Sequence, residues 1–530
     1  MKRQSFFILL PAAVLLLVSS CSKKLDRFPT NDVTSEVVYS TPEGYQLAFA
    51  KVYGAFALTG NQGPAGNGDI RGIDEGFSDF LRLYWKAQEL STDEAVIAWG
   101  DAGIQDFHNM NWSSSNSFLT GLYYRSLYQV TLVNDFLRQA TDDKLASRGI
   151  AGQDAEKIRS FRNEARFLRA FQYWVLMDLY GRPPFVTEAD VVGSGTLPRQ
   201  VNSRAELFDY VESELKEIEP LLAAARTNEY GRADQAAAWA LLARLYLNAE
   251  VYTGSPRYTD AITYSKKVID AGYSLISDYT QLMLADNHLN TSEFILTINY
   301  DGQKTQSFGG TTFLTHAPVG GSMPSSSYGI NGGWGGVRTT RILPNLFPDY
   351  TGAADARAQF YQAGQSIEIG DQTQFTNGFA VTKFRNLKRN GTPGSSLEYA
   401  DVDFPLFRLG EMYLIYAEAV LRGGTGGDAA TALGYINLIR QRAYGDASGN
   451  ISAGQLNLNF ILDERARELY WEGHRRTDLV RYGRFTTDSY LWPWKGGTPA
   501  GAGVSDDRNI FPIPAPDMLS NPNLVQNPGY

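Results

Sequence analysis

Hydrophobic residues recur at helical spacing through two long parts of the chain. Leu127, Val130, Val133 and Leu137 lie on one side of a predicted helix over residues 123–140. Similar patterns predict further helices over residues 155–180, 235–249, 258–271, 406–421, 429–443 and 460–470. Capping sequences begin two more helices, one at Ser40 and one at Ser203. The chain is therefore predicted to be mainly α, with helical regions at about residues 40–285 and 404–485.

Two of these regions carry the spacing of a tetratricopeptide repeat. In its first helix this repeat places a large residue, a leucine, a small residue and a tyrosine in the order W-x2-L-G/A-x2-Y. The first match is formed by Trp239, Leu242, Ala243 and Tyr246, and a weaker one by Tyr413, Tyr416, Ala417 and Val420. The first match favours a repeat unit, whereas the second fits an ordinary amphipathic helical hairpin equally well.

The segment between the helical regions, about residues 287–403, has a different amino-acid composition and pattern. Residues 294–298 are strand-like, and nine glycines follow between positions 309 and 336 with Ser, Thr and Asn among them. Such a sequence cannot form a packed helix array, and long loops in compact proteins tend to be functional. Residues 486–530 are rich in Pro and Gly and are predicted to wrap the body, residues 40–530, as extended coil.

The amino terminus predicts export and lipid attachment. Met1-Lys2-Arg3 precedes an apolar run at residues 6–18, which is too short to span a bilayer and is typical of a signal peptide. Residues 18–21 (Val-Ser-Ser-Cys) resemble a bacterial lipobox, and Cys21 is the only cysteine of the chain. We expect a signal peptide at residues 1–20 and a tether at 21–39 that is lipidated on Cys21. The alternative is an ordinary signal peptide with a chance cysteine.

Charge and composition exclude several classes of function. A net charge of −9 and a pI near 5.2 argue against nucleic acid as a partner, because phosphate binding needs a basic face. The four histidines have no metal-ligand spacing, and neither a nucleophile elbow nor a phosphate-binding loop occurs. We predict no cofactor, metal or catalytic residue, although a glycosidase carboxylate pair stays open.

A charge-dense stretch over residues 463–484 has two interpretations. It could bind an anion, or it could form a structural network of ion pairs. Helical spacing pairs Asp463 with Arg467 and Glu472 with Arg476. The near balance of acids and arginines favours the structural network.

The same stretch resembles a signature of the SusD/RagB family, E-R-x-x-E-L-x-x-E-G-x-R-x-x-D-L. The matching residues are Glu464, Arg465, Glu468, Leu469, Glu472, Gly473, Arg475, Asp478 and Leu479. Residues 511–514 (Phe-Pro-Ile-Pro) and 521–530 are similar to the family's ending, and residues 162–170 to a mid-chain helix of the family. Pro516-Asp517 departs from the pattern, which puts only the local conformation in doubt.

This resemblance implies tetratricopeptide-type helices that back an irregular, loop-rich face with few strands. It further implies a glycan-binding lipoprotein of the outer-membrane surface, which captures oligosaccharides and delivers them to a SusC-like TonB-dependent transporter. Some relatives handle peptides instead, and no catalysis is implied. A peptide-binding member, a surface glycoside hydrolase and a pure scaffold are the rival interpretations.

A sugar site needs an exposed aromatic plane for the C–H face of the ring and polar side chains for its hydroxyls. Two regions of the chain offer both, residues 79–101 and residues 328–341. The predicted ligand-binding residues are Trp334, Trp99, Trp85, Tyr328, Arg338, Asp101, Arg82, Asp79 and Asn331. Trp334 is the strongest single candidate because glycines on both sides leave it little local cover. For Trp85, core packing explains the residue equally well.

Overall fold

A computed structural model describes residues 35–190, 193 and 195–530. The predicted signal peptide, Cys21 and the predicted tether up to residue 34 lie outside these residues. The last residues of the predicted tether, Ser35–Val38, form a short helix, and Tyr39 is buried.

The architecture is mainly helical. Its helices are α1 (Ser35–Val38), α2 (Pro42–Ala57), α3 (Phe80–Trp85), α4 (Gln105–Asn109), α5 (Ser117–Gln139), α6 (Asp142–Ser147), α7 (Gly152–Tyr180), α8 (Arg204–Ile218), α9 (Gln235–Leu247), α10 (Ala249–Thr253), α11 (Tyr258–Asp270), α12 (Gly310–His316), α13 (Leu409–Leu421), α14 (Ala429–Tyr444), α15 (Leu458–Leu469), α16 (Arg475–Arg481) and α17 (Ala515–Ser520). The strands are β1 (Val96–Ile97), β2 (Pro184–Phe185), β3 (Arg199–Gln200), β4 (Phe294–Ile298), β5 (Val337–Arg338), β6 (Phe360–Tyr361), β7 (Ala380–Val381) and β8 (Phe404–Arg408).

Short polar side chains set where several of these helices begin. The Ser203 hydroxyl accepts a hydrogen bond from the Glu206 amide at 3.1 Å, and Asp234 accepts one from the Ala237 amide at 3.1 Å. Each bond satisfies an amide that has no partner within its own helix. At the start of α2 the capping residue is Thr41 rather than the predicted Ser40. The predicted start was therefore wrong by one residue.

The helices pack in successive pairs, as a helical-repeat scaffold requires. Helix α9 packs on α11, α11 on α13, and α13 on α14, while α5 and α8 pack on α7. In the repeat-like unit, Leu242, Ala243 and Tyr246 are buried, and Trp239 is half-buried with its indole nitrogen bonded to Glu219 at 2.7 Å. Alanine at position 243 allows the close approach of neighbouring helices that the spacing implies.

The predicted helix over residues 406–421 is wrong in its first turn. Residues 404–408 are strand β8, which pairs antiparallel with β4, and α13 begins only at Leu409. Both strands are buried throughout, so they lack the alternation that marks a half-exposed strand. A continuous apolar run of this length fits a buried strand and a buried helix equally.

The remaining strands are short, and of their ladders β1–β5 joins the loop-rich region to the first helical region, β2–β3 lies within the helical region and β6–β7 lies within the loop-rich region. Within the described residues they form two-stranded ladders, β1 with β5, β2 with β3, and β6 with β7. No helix within residues 35–190 or 195–530 has both the length and the apolar character needed to cross a bilayer.

The charge-dense stretch forms a buried network of ion pairs, but its partners differ from those predicted. Arg408 contacts Glu472 at 2.7 Å, Glu468 at 2.6 Å and Glu293 at 3.0 Å, and all four side chains are almost fully buried. Burial raises the pKa of Glu468 and Glu472, but the neighbouring cations outweigh burial and hold both values below the usual range.

The two predicted pairs within this stretch are wrong. Arg467 bonds Glu464 instead of Asp463, and Glu472 bonds Arg408 and Lys383 instead of Arg476. The second pair fails because α15 ends at Leu469 and α16 begins at Arg475, so residues 472 and 476 do not share one helix. In the first pair, Arg467 lies in the same helix as Asp463 but bonds Glu464, three positions before it.

Replacing Arg408 by alanine should strongly destabilise the protein, because three buried carboxylates would lose a shared partner. Breaking such a buried network costs about 3–5 kcal/mol of unfolding free energy. Urea unfolding would measure the loss. Lys266→Ala is the control, since the Lys266–Asp270 pair is about half exposed and should contribute nothing measurable. Equal effects of the two substitutions would contradict the assignment.

Candidate functional site

The β1–β5 ladder brings together two of the predicted aromatic residues. Val96 pairs with Arg338 and Ile97 with Val337, and the Ala98 amide then donates to the Gly336 carbonyl at 2.8 Å. Trp99 follows Ala98 directly, and Trp334 lies two residues before Gly336. The Trp99 indole donates to the Trp334 carbonyl at 3.1 Å, and the ring centroids are 6.3 Å apart at 43°. The two rings therefore form an inclined pair.

Backbone contacts hold this pair in place. The Trp334 amide donates to the His316 carbonyl at 2.9 Å, and the Trp334 ring lies 5.0 Å from the His316 ring. Gly336 contacts the Trp99 ring so closely that a Cβ there would be 2.4 Å from the indole. A glycine is therefore required at 336 for Trp99 to occupy its position.

The tryptophan pair opens onto a cleft of about 360 Å³. Both rings are half-buried, as are Phe77 and Phe308, while Asp74 and Asp101 are exposed at the rim. The lining residues are Asp74, Gly76, Phe77, Arg82, Trp99, Asp101, Phe308 and Trp334. This combination of aromatic faces, one guanidinium and two carboxylates can pack against a sugar ring and bond its hydroxyls.

Arg82 forms the floor of the cleft. Its side chain is 3% exposed, and Nη1 donates to the carbonyls of Gly76 at 2.9 Å and Phe308 at 2.8 Å. The guanidinium also lies 5.6 Å from the Trp99 ring and 5.7 Å from the Trp334 ring. Burial lowers the pKa of Arg82 to about 9, against the opposing effect of nearby carboxylates, so the group stays charged at neutral pH. Nε is buried without a hydrogen-bond partner among the described residues.

Three of the predicted site residues are buried instead of lining this cleft. Trp85 is fully buried in an edge contact with Trp471 at 5.1 Å, which corrects its assignment to the site. Arg338 is also buried, and it donates to four carbonyls, those of Asn377, Gly336, Gln372 and Gln374. Asp79 lies below the cleft, where it caps α3.

Two others lie outside the cleft on the loop-rich side. Tyr328 belongs to a small separate apolar cluster with Val319, Met323, Ile330 and Ala380. Asn331 is exposed, and its amide donates to the Leu397 carbonyl at 2.9 Å. Of the nine predicted ligand-binding residues, the cleft therefore gathers Trp334, Trp99, Asp101 and Arg82.

Sequence reasoning missed Asp74, Phe77 and Phe308. Phe308 directly precedes Gly309-Gly310, and Phe77 directly follows Gly76. Both therefore carry the signal that singled out Trp334, an aromatic residue beside glycine in a loop. Asp74 carried no comparable local signal.

A second cavity, of about 370 Å³, lies between α2, α7 and β4. Its lining is mostly apolar, with Phe49, Phe161 and Leu296 among the contributors. The polar groups at its edge already have protein partners, since Arg232 bonds Glu164 and Tyr230 bonds Asp403. Across the described residues, no group of three or more His, Cys, Asp or Glu side chains is placed to hold a metal ion.

Comparison with known proteins identifies the family. Residues 350–530 match the model described as "SusD family", and residues 86–247 match one described as "Starch-binding associating with outer membrane". The starch-binding protein SusD of Bacteroides thetaiotaomicron is 36% identical over 100% of this chain and 99% of its own length. The chain belongs to the SusD family. The SusD-like protein P25 of Formosa agariphila is 25% identical over 96% of the chain and 97% of its own length.

Solved structures of SusD-like proteins share the fold. Surface glycan-binding protein A from Bacteroides thetaiotaomicron, in complex with laminarihexaose, gives a TM-score of 0.69 at 21% identity, covering 92% of this chain and 99% of the other. A laminarin-binding SusD-like protein gives 0.69 at 22% identity, with 92% and 99% coverage. The predicted helical scaffold with a loop-rich face is confirmed by this SusD-family fold.

Gly336→Ala should disrupt the tryptophan pair, because the added methyl group would overlap the Trp99 indole. We expect an altered near-ultraviolet circular dichroism spectrum and a loss of unfolding free energy of about 1–3 kcal/mol, typical of overpacking. Gly332→Ala is the matched control, since a Cβ there meets nothing within 4 Å. An unchanged spectrum for Gly336→Ala would contradict the close packing.

Proposed function

We propose that this protein is a glycan-binding lipoprotein of the cell surface, which captures an oligosaccharide in the cleft and delivers it for import. The observation that supports this most strongly is the inclined pair of Trp99 and Trp334 above Arg82. Two aromatic planes can each take the C–H face of one sugar ring, while the guanidinium and the rim carboxylates bond hydroxyls.

A starch-type α-glucan is the favoured ligand. A relative that is 36% identical along the whole length of this chain is named a starch-binding protein. The 43° inclination of the rings also suits a curved chain, whose successive sugars present their faces at an angle. A β-glucan of the laminarin type is the second candidate, because two structural neighbours are named for binding it.

We propose that the protein binds its ligand without hydrolysing it. A glycosidase needs two carboxyl groups that flank the scissile bond as acid and base or nucleophile. In the cleft, the aromatic rings and Arg82 form the walls and floor, and Asp74 and Asp101 lie on the exposed rim. This arrangement favours hydroxyl recognition at the edge of a bound chain.

The proposed lipid anchor rests on the sequence of the amino terminus, and the proposed transport partner rests on membership of the family. Cys21 would carry the lipid that anchors the protein to the outer membrane. A SusC-like TonB-dependent transporter would receive the captured oligosaccharide. The net charge of −9 agrees with a neutral ligand instead of a nucleic acid.

Calorimetry on residues 22–530 would test ligand binding with malto-oligosaccharides, laminari-oligosaccharides and peptides. We expect malto-oligosaccharides to bind, and Trp334→Ala and Trp99→Ala each to weaken binding by about 30-fold, as for truncation of an aromatic hot spot. Trp239→Phe is the control, because Trp239 is half-buried on the helical scaffold. Binding of peptides alone would refute the proposal in favour of a peptide carrier.

Cys21→Ser should abolish lipidation, since the serine offers no thiol. Cells that express the wild-type protein should incorporate an alkyne-labelled fatty acid into it and retain it in the membrane fraction. The variant should incorporate no label. Label on the variant would mean that the lipid is attached elsewhere, whereas an unlabelled wild-type protein would mean that the signal peptide is of the ordinary kind.

A further inference from the structure

Asp79 lies directly beneath the cleft and contacts two of its sides. It is fully buried, and Oδ1 accepts hydrogen bonds from the Arg82 amide at 2.9 Å and from the Gly310 amide at 2.7 Å. The first bond caps α3, which carries the floor of the cleft. The second bond reaches the segment that carries Phe308, a wall of the cleft, 231 positions away in the sequence.

The 308–310 segment comes this close only because it contains two glycines. A Cβ at Gly309 would lie 2.1 Å from the Asp79 Cβ, and one at Gly310 would lie 2.3 Å from the Tyr300 ring. Gly310 also has φ +55°, which favours glycine. The Phe308 carbonyl in turn accepts the Arg82 Nη1 bond. Asp79, Arg82 and the 308–310 segment therefore form one closed set of contacts.

The second carboxylate oxygen of Asp79 is unsatisfied. Oδ2 is buried with no hydrogen-bond partner among the described residues, and so is the Tyr300 hydroxyl. Burial raises the pKa of Asp79 to about 6, although the two amides, Arg125 and Arg82 oppose the shift. Burying an oxygen without a hydrogen-bond partner costs free energy, so this carboxylate lowers the stability of the folded protein.

We propose that Asp79 is a positioning residue of the binding cleft: its ionised carboxylate holds Arg82 and the Phe308 wall in the arrangement that binds glycan. This inference depends on the proposed glycan-binding function. Hydrogen bonds to an ionised acceptor are about twice as strong as neutral ones. Loss of the charge should therefore loosen both contacts at once, without removing either amide donor.

The direction in which ionisation of Asp79 changes the stability of the fold distinguishes a residue that positions the cleft from one that only supports the fold. The carboxyl of Asp79 has a folded-state pKa above its ordinary value of 3.8. Its stabilising effect is therefore fully present below that ordinary value and is lost as pH rises through about 6. Near neutral pH, the ionised group lowers stability while it organises the cleft. A purely structural residue would lower affinity and stability together.

Other titratable groups around the cleft must be distinguished from Asp79. Those facing Asp79 or its immediate partners are Arg82, Arg125, Tyr128, Tyr300, Lys86, Asp69, Asp74, Asp101 and Asp403. His316 beneath Trp334 is buried, and burial lowers its pKa. A variant that changes only Asp79 separates its titration from all of these.

The test is the affinity of residues 22–530 for maltoheptaose between pH 7.5 and pH 5, in wild type and Asp79→Asn. Asparagine is as good a helix cap as aspartate, so α3 should still form. We expect wild-type affinity to fall about threefold to tenfold across this range, and the variant to show the lower affinity at every pH. Its thermal unfolding midpoint at pH 7.5 should equal or exceed that of wild type.

Asp74→Asn is the control, because it removes an exposed rim carboxylate and should keep the pH transition whatever its basal affinity. Equal affinity of Asp79→Asn and wild type at pH 7.5 would overturn the proposal. So would a pH transition that persists in the variant, which would belong to another group such as Asp403, whose pKa burial raises to about 7. A lower unfolding midpoint together with lower affinity would likewise reduce Asp79 to a structural role.

A measurement without ligand tests the positioning role of Asp79 independently of the proposed glycan binding. Acrylamide quenching of tryptophan fluorescence should change between pH 7.5 and pH 5 in wild type, and should not change in Asp79→Asn. If no glycan binds but this difference appears, the ligand assignment fails and the positioning role stands. If maltoheptaose binds and the quenching is flat with pH in both proteins, the positioning role is refuted.

Discussion

The buried ion pairs around Arg408 join the segments of the scaffold that supports the cleft. Arg408 ends β8, its partners Glu468 and Glu472 lie at the end of α15 and just beyond it, and Glu293 precedes β4. A buried ion pair is not intrinsically more stabilising than hydrophobic residues of similar volume. The network instead disfavours other arrangements of these segments, because a misplaced segment would leave a charge buried and unpaired. The network thus fixes one relative placement of these segments.

From this network, contacts lead to the cleft through the segment between α15 and α16. Trp471 donates from its indole to the Glu94 carbonyl at 3.1 Å and accepts the Trp85 indole bond at 3.1 Å. Arg475 pairs with Asp93 at 2.7 Å. Asp93 and Glu94 immediately precede β1, which ends two residues before Trp99. The family signature is therefore structural, and it supports the site without lining it.

Local sequence patterns predicted the scaffold well because helix periodicity, capping and repeat spacing are local properties. They predicted the cleft less completely, because it is assembled from three distant loops. Trp334 and Trp99 could be found from glycine-rich surroundings, and Phe308 shared that signal. Trp85 could not be assigned, since its burial depends on Trp471 across 386 positions. Likewise, the pairing of Glu472 with Arg476 could not be assigned, because Glu472 and Gly473, at φ +81°, lie in the turn that separates α15 from α16.

Two buried arginines show how the same side chain serves the scaffold in one place and the site in another. Burial lowers the pKa of both Arg82 and Arg338 to about 9, so neither charge state nor exposure distinguishes them. Arg338 donates to four carbonyls, which organises the loop beneath β5 and leaves little capacity for a ligand. Arg82 satisfies two carbonyls through Nη1, keeps Nε unpaired and lines the cleft. Unpaired buried nitrogens also occur on Arg442 and Arg465 of the ion-pair network, so an unpaired Nε alone does not mark a site residue. The position of Arg82 in the lining of the cleft, which Arg338 does not share, supports Arg82 as the cation that meets the ligand.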